Sequence, residues 1–176
     1  MRRTAFLLPL GLLAACQMPV FQTVQLPPPP PEAEPLSPSV REALERDVIA
    51  VVNHARSSSA ARSLEANSAM TRAARGHAEE LARRGLLDHA SETPGRETFA
   101  RRLAAEGAPA WTLAGENLIQ LPHTTLDVAD AAVTGWLGSA SHRSQMLEPD
   151  YTHTGVGIAR DQRGNWYVVQ LFIRRR

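Results

Sequence analysis

Apolar residues recur at three- and four-residue spacing after Ser37-Pro38: Val40, Leu44, Val48, Val51, Val52 and Ala55. That spacing puts them on one helix face, and a serine followed by a first-turn proline supplies the helix start. A second such face, Met70, Ala73, Ala74, His77, Ala78 and Leu81, lies between Asn67, a capping residue, and Gly85, a stop. It predicts a helix over 68–84. A short helix is predicted over 97–106, closed by Gly107. A fourth begins at Thr124 or Thr125 and carries Leu126, Ala129, Val133, Trp136 and Leu137. The polar stretch that follows, Ser139-Ala140-Ser141-His142-Arg143, reads as a turn after that helix.

The pattern then shortens to strands at 113–120, 154–160 and 166–173. The last two flank Asp161-Gln162-Arg163-Gly164, a hairpin turn. The final strand, from Trp166 to Ile173, is apolar at nearly every position instead of alternating. A strand of that kind is buried on both faces. Helices covering both sides of a sheet follow, giving helix–sheet–helix layers.

Composition changes the picture at the N-terminus. Arg2 and Arg3 precede an apolar run from Ala5 to Ala15, too short for the ~20 residues of a spanning helix. A removable signal over 1–15 is the expected reading. Its end, Leu13-Ala14-Ala15-Cys16, resembles the lipobox of bacterial lipoproteins, in which the cysteine becomes the lipidated first residue. Cys16 is the only cysteine, so no disulfide is expected to support the fold. Gln17 in the next position, where an aspartate is absent, implies a lipid anchor in the outer membrane of a bacterial envelope. Residues 16–38 then form a linker: eight of the thirteen prolines fall between Gln17 and Pro38, five of them consecutive from Pro27 to Pro31. Such a segment favours polyproline II and reaches roughly 60 Å at about 3.1 Å per residue. A spacer is the expected role; a ligand for an SH3-type partner is the alternative. Residues 39–176 have the size of one domain.

Loss of residues 1–15 removes two arginines and no acid, moving the formal charge from +1 to −1. A near-neutral domain argues against nucleic acid as a partner. Every basic side chain is arginine, scattered except at Arg174-Arg175-Arg176, which reads as a solvated tail.

Chemistry centres on six histidines. His54 and His123 lack supporting neighbours and are expected at the surface, and His153 merely precedes a strand. His77 lies on the apolar face of the second helix with Glu80 three residues on, a weak metal pattern, and reads as a packed core residue. His89 follows a glycine-ended helix. Glu116, between Gly115 and Asn117 in a predicted strand, is costly to bury unless paired, and an imidazole is a natural partner. Spacing alone does not bring residues 89, 116 and 142 together.

Taken in order, several stretches resemble a bacterial member of the CAP superfamily (cysteine-rich secretory proteins, antigen 5 and pathogenesis-related 1 proteins). They are Asn53-His54-Ala55-Arg56, Leu64, the alanine-rich helix through His77 and Leu81, Leu87-Asp88-His89, Phe99 to Leu103, Gly115-Glu116-Asn117-Leu118, Trp136 with Ser139-Ala140-Ser141-His142-Arg143, Gly155-Val156-Gly157 and the closing strand. The resemblance implies an α+β chain folded as a three-layer α-β-α sandwich with a central, mainly antiparallel sheet, and a cavity with His89 and His142 as its histidines and Glu116 as its first glutamate. The family's second glutamate falls where this chain has Leu137-Gly138-Ser139. It further implies zinc or another divalent ion held weakly on His89 and His142, with Glu116 either as a third ligand or, in preference, behind them together with Asn117. The expected function is a tethered, non-enzymatic envelope module whose cleft binds a metal or a small, lipid-like ligand. Two alternatives stand beside it. One is a hydrolase of peptide or cell-wall substrates, using metal-activated water or a serine among Ser91, Ser139 and Ser141, though without a Gly-x-Ser-x-Gly elbow. The other is a structural or interaction module.

Overall fold

Ser37 Oγ accepts the Val40 amide at 3.3 Å and Pro38 occupies the first turn, starting α1 (Pro38–Ser57). Asn67 Oδ1 does the same for Met70 at 3.1 Å, and Gly85 closes α2 (Ser68–Arg84) in a left-handed conformation, φ 69°. The computed structural model describes residues 34–176. The expected signal, Cys16 and nearly all of the linker lie outside the described residues. Among the described residues no helix is long and apolar enough to cross a membrane.

The remaining elements are β1 (Glu65–Ala66), α3 (Phe99–Ala105), β2 (Trp111–Leu121), α4 (Val128–Gly138), α5 (Ala140–Leu147), β3 (His153–Arg160) and β4 (Trp166–Arg175). The sheet order is β1-β3-β4-β2, with β1 parallel to β3 and the other pairs antiparallel. β4 lies between β3 and β2, and it is apolar on both faces because helices cover both. Val168 and Phe172 join α1, α4 and Met146 of α5 in one core. Tyr167, Val169, Leu171 and Ile173 join α2 and Leu103 of α3 in the other. The three layers follow directly from that alternation.

Glycines set the spacing between α2 and the sheet. A Cβ on Gly155 would overlap the Met70–Thr71 backbone, and one on Gly157 the Ala74–Arg75 backbone. Gly155-Val156-Gly157 is thus a packing motif. Asn53-His54-Ala55-Arg56 is also structural in its two inward-facing members, Asn53 and Arg56. Asn53 exchanges two hydrogen bonds with the Leu64 backbone, 2.8 and 3.1 Å, and the buried Arg56 guanidinium donates to the carbonyls of Arg62, Met146, Glu148 and Tyr151.

Four local expectations change. The fourth helix starts at Val128, capped by Asp127 Oδ1 on the Asp130 amide at 3.0 Å, and Leu126 is fully exposed in the preceding turn. A carboxylate one turn later outcompetes the threonines as cap. The third helix is shorter than expected because Thr98 caps it. Val40, at the first turn of α1, is half exposed. The polar stretch around His142 is not a turn but the helix α5, entered through a break at Ser139, whose φ and ψ are extended.

Candidate functional site

β2 is one of the two edge strands of the sheet, and side chains along it alternate between layers. Glu116 points toward the α2/α3 layer and Asn117 toward the α5 layer. A sheet edge is where groups from both layers can converge past the last strand. Here they form a cleft of about 320 Å³ lined by His89, Glu116, Asn117, Ser141, His142 and Gln145, with Phe99, Ala114 and Gly115.

On the α3 side, Glu116 is buried with its side chain 2% exposed, and both its oxygens are engaged. Oε1 accepts from His89 Nδ1 at 2.8 Å; Oε2 accepts from Arg102 Nη2 at 2.5 Å. Arg102, equally buried, also donates to the His89 carbonyl at 3.2 and 3.3 Å. One ion pair therefore holds both the ring and the backbone of a histidine whose side chain is 64% exposed. The Glu116 hydrogen bond raises the His89 pKa above its ordinary value, against the opposing effect of burial. It also fixes the ring so that Nε2 is the nitrogen left over for a ligand.

The loop that carries His89 is anchored from α2. Glu80, buried on that helix, accepts from Ser91 Oγ, from the Glu92 amide at 2.6 Å and from Thr93 Oγ1 at 3.0 Å. Burial alone would raise the Glu80 pKa, but these three donors outweigh it and hold the carboxyl below the usual glutamate range. His77 Nε2 donates to the Asp88 carbonyl at 2.9 Å. Burial, followed by the Arg102 charge, lowers the His77 pKa and so disfavours the charged ring. His77 is the packed core residue its helix face predicts, and it steadies the residue before His89.

The α5 side is built differently. Asn117 Nδ2 donates to the His142 carbonyl at 3.0 Å, fixing the backbone. The His142 ring has no hydrogen-bond partner among the described residues. Burial, then the nearby His89 charge, pushes its pKa down. Gln145, one turn on, accepts from Tyr151 at 2.6 Å, and burial holds that phenol protonated with a pKa pushed up to about 12. Gly115 allows this approach, since a Cβ there would overlap both Gln145 and the Tyr151 hydroxyl.

The structure thus places His89, Glu116, Asn117 and His142 around one cleft. His54 and His123 are exposed, and His153 lies apart, with Nδ1 2.9 Å from Thr152 Oγ1. Among the described residues no group of three or more histidine, cysteine, aspartate or glutamate side chains is placed to hold a metal ion. Of the candidate serines, Ser91 donates to Glu80, and Ser139 and Ser141 pair with each other at 3.2 Å. Sequence reasoning missed Arg102 and Gln145. Arg102 falls between Phe99 and Leu103 on one face of α3, where a charged residue is out of pattern. Gln145 is three residues past His142, a neighbour only once the stretch is known to be helical.

Comparison with known proteins bears on the family and the fold. Residues 49–172 match the CAP family, described as the cysteine-rich secretory protein family. An uncharacterized membrane protein, YlbC, of Bacillus subtilis is 34% identical over 131 residues, covering 74% of this chain and 34% of its own. An extracellular SCP-domain protein of Bacillus anthracis is 27% identical with a TM-score of 0.66, covering 81% of this chain and 45% of that one. An outer surface protein of Borrelia burgdorferi shares the fold at 17% identity, also with a TM-score of 0.66, over 81% of this chain and 98% of its own. The chain spans only about a third of the length of YlbC. A family match over most of the domain, on a three-layer sandwich with the two histidines and the glutamate at one sheet edge, identifies this chain as a member of the CAP family.

Proposed function

We propose that this chain is a tethered, extracytoplasmic CAP module whose His89/His142 cleft takes a divalent cation such as Zn²⁺, or a small ligand, without itself catalysing a reaction. The observation that carries this reading is the state of Glu116. Both oxygens are occupied by His89 and Arg102, leaving His89 Nε2 and the His142 ring, unbonded among the described residues, as the donors at the cleft. A carboxylate on one imidazole nitrogen with a ligand on the other is a common second layer of histidine metal sites.

The donor set fits a weakly held ion. Structural zinc takes four protein ligands and catalytic zinc usually three; two imidazoles leave the remaining positions to water or ligand. Bound there, the ion would supply Lewis acidity. This chain's own residues would hold and orient: Arg102 and Glu116 keep Nε2 of His89 aimed outward, and Asn117 fixes the backbone of His142. General-base chemistry has little support, because among the described residues Glu116 is the one carboxylate lining the cleft, and it is committed to an ion pair. At about 320 Å³ the cleft matches the small end of ligand pockets, so a lipid-like ligand would enter only with its head. The lipobox-like Cys16 supports the tether, and relatives named as membrane, extracellular and outer surface proteins support the compartment.

Calorimetric titration of Zn²⁺ tests this reading. The protein is expected to bind one ion, and His89→Ala with His142→Ala is expected to abolish the binding while circular dichroism stays unchanged. Absence of binding in the unsubstituted protein refutes the metal site. Hydrolysis of casein or peptidoglycan fragments that is lost in the double variant refutes the non-catalytic assignment.

A further inference from the structure

A second, larger groove, about 990 Å³, is formed by the end of α2, the β3–β4 turn and the residues leading into α1. Among the described residues it shares no lining residue with the histidine cleft. Tyr167 lines it and is fully buried, yet its hydroxyl has no hydrogen-bond partner among the described residues. Arg41 lines it as well; its Nη1 pairs with Glu79 at 2.6 Å, but its buried Nε has no acceptor among them. Buried polar groups are nearly always paired. Two orphan donors on one groove point to an occupant that brings acceptors. The charged lining agrees. Arg83 and Arg163 are exposed there, while Asp161 is consumed by the Arg163 and Asn165 amides of its own turn.

The same chain carries a segment of matching chemistry. Glu34, Pro35 and Leu36 themselves line the groove, so the polypeptide reaches the domain there. Only Glu32 and Ala33 separate Glu34 from the run Pro27 to Pro31. Consecutive prolines have no N–H and expose carbonyl acceptors only. Residues 17–40 contain two acids, Glu32 and Glu34, and no base, which complements Arg83 and Arg163. We propose that Pro27 to Pro31 docks in cis in this groove as a polyproline II segment, its carbonyls accepting from the Tyr167 hydroxyl and Arg41 Nε. Five residues at about 3.1 Å per residue span roughly 15 Å. The short connection gives the segment an effective concentration that a partner in trans does not match. The linker is then a strap that fixes the angle of the domain on its anchor, not a free spacer, and this is independent of what the histidine cleft binds.

A fluorescent synthetic peptide of residues 22–33, titrated onto the full mature chain and followed by anisotropy, tests the proposal. The second chain carries Pro27→Gly, Pro28→Ser, Pro29→Gly, Pro30→Ser and Pro31→Gly together, which empties the groove. The peptide is expected to bind this chain saturably and to bind the unsubstituted chain at least about tenfold more weakly. Adding Tyr167→Phe to the substituted chain is expected to weaken the peptide roughly 2- to 10-fold, with no loss of thermal stability, because the hydroxyl has no partner among the described residues. No binding to the substituted chain overturns the proposal. Equal affinity for both chains, or an unchanged affinity with Tyr167→Phe, overturns it as well.

Discussion

His89 sits on a loop and His142 on a helix, yet the loop histidine is the one whose ring is fixed. Its ring nitrogen and its carbonyl both end on the Glu116–Arg102 pair, and its loop is pinned from below by Glu80. His142 has a regular backbone, a carbonyl held by Asn117 and a ring that bonds to nothing among the described residues. Their pKa values move in opposite directions accordingly, His89 up through its carboxylate partner and His142 down through burial. Side-chain order at this site comes from buried charge, and secondary structure supplies only position. The cleft therefore has one preorganised wall and one adaptable wall.

The contrast breaks most severely at Arg102. Arg102→Met leaves Glu116 buried without its cation, and removing one partner of a buried pair costs about 3–5 kcal/mol. Chemical denaturation is expected to show that loss, and His89 to lose its fixed ring. Next is the anchor of the loop. Glu80→Gln is expected to cost about 1–3 kcal/mol, the penalty for weakening bonds to buried donors. Because the folded Glu80 pKa is depressed, its stabilisation is complete above the unfolded glutamate value, about 4.3. It disappears as pH falls through the lower folded value. Denaturation midpoints measured downward from pH 6 should therefore drop in the unsubstituted protein and drop less in Glu80→Gln. The smallest effect is expected on the other wall. His142→Ala should change stability by less than about 0.5 kcal/mol, as for a partly exposed side chain without hydrogen bonds.

Much of this was legible from periodicity. Helix α2 begins and ends at Asn67 and Gly85 as predicted, because a side-chain cap and a left-handed glycine are local signals. Burial of β4 on both faces was visible for the same reason, since its apolar run needs no knowledge of its partners. Helix α5 was not, because its eight residues bury only Met146 and show no apolar stripe. It is held by its position between α4 and β2. Arg102 was hidden in another way. A buried arginine makes sense only beside the carboxylate it neutralises, and Glu116 is fourteen residues away on another element. The two histidines and Glu116 were found through the order of family-like segments, while the spacing of 89, 116 and 142 carried no information of its own.

The central claim, that two differently held imidazoles act together on one ion, is best tested by following both rings at once. Nitrogen-15 spectra of the imidazole groups should be recorded at about pH 7.5, above the ordinary histidine pKa, during a Zn²⁺ titration. The account predicts that His89 Nε2 and one nitrogen of His142 shift together along a single binding curve. His89 Nδ1 stays protonated on Glu116, and His54, His77 and His123 do not respond. Shifts confined to one of the two rings, or curves with different midpoints, would contradict it.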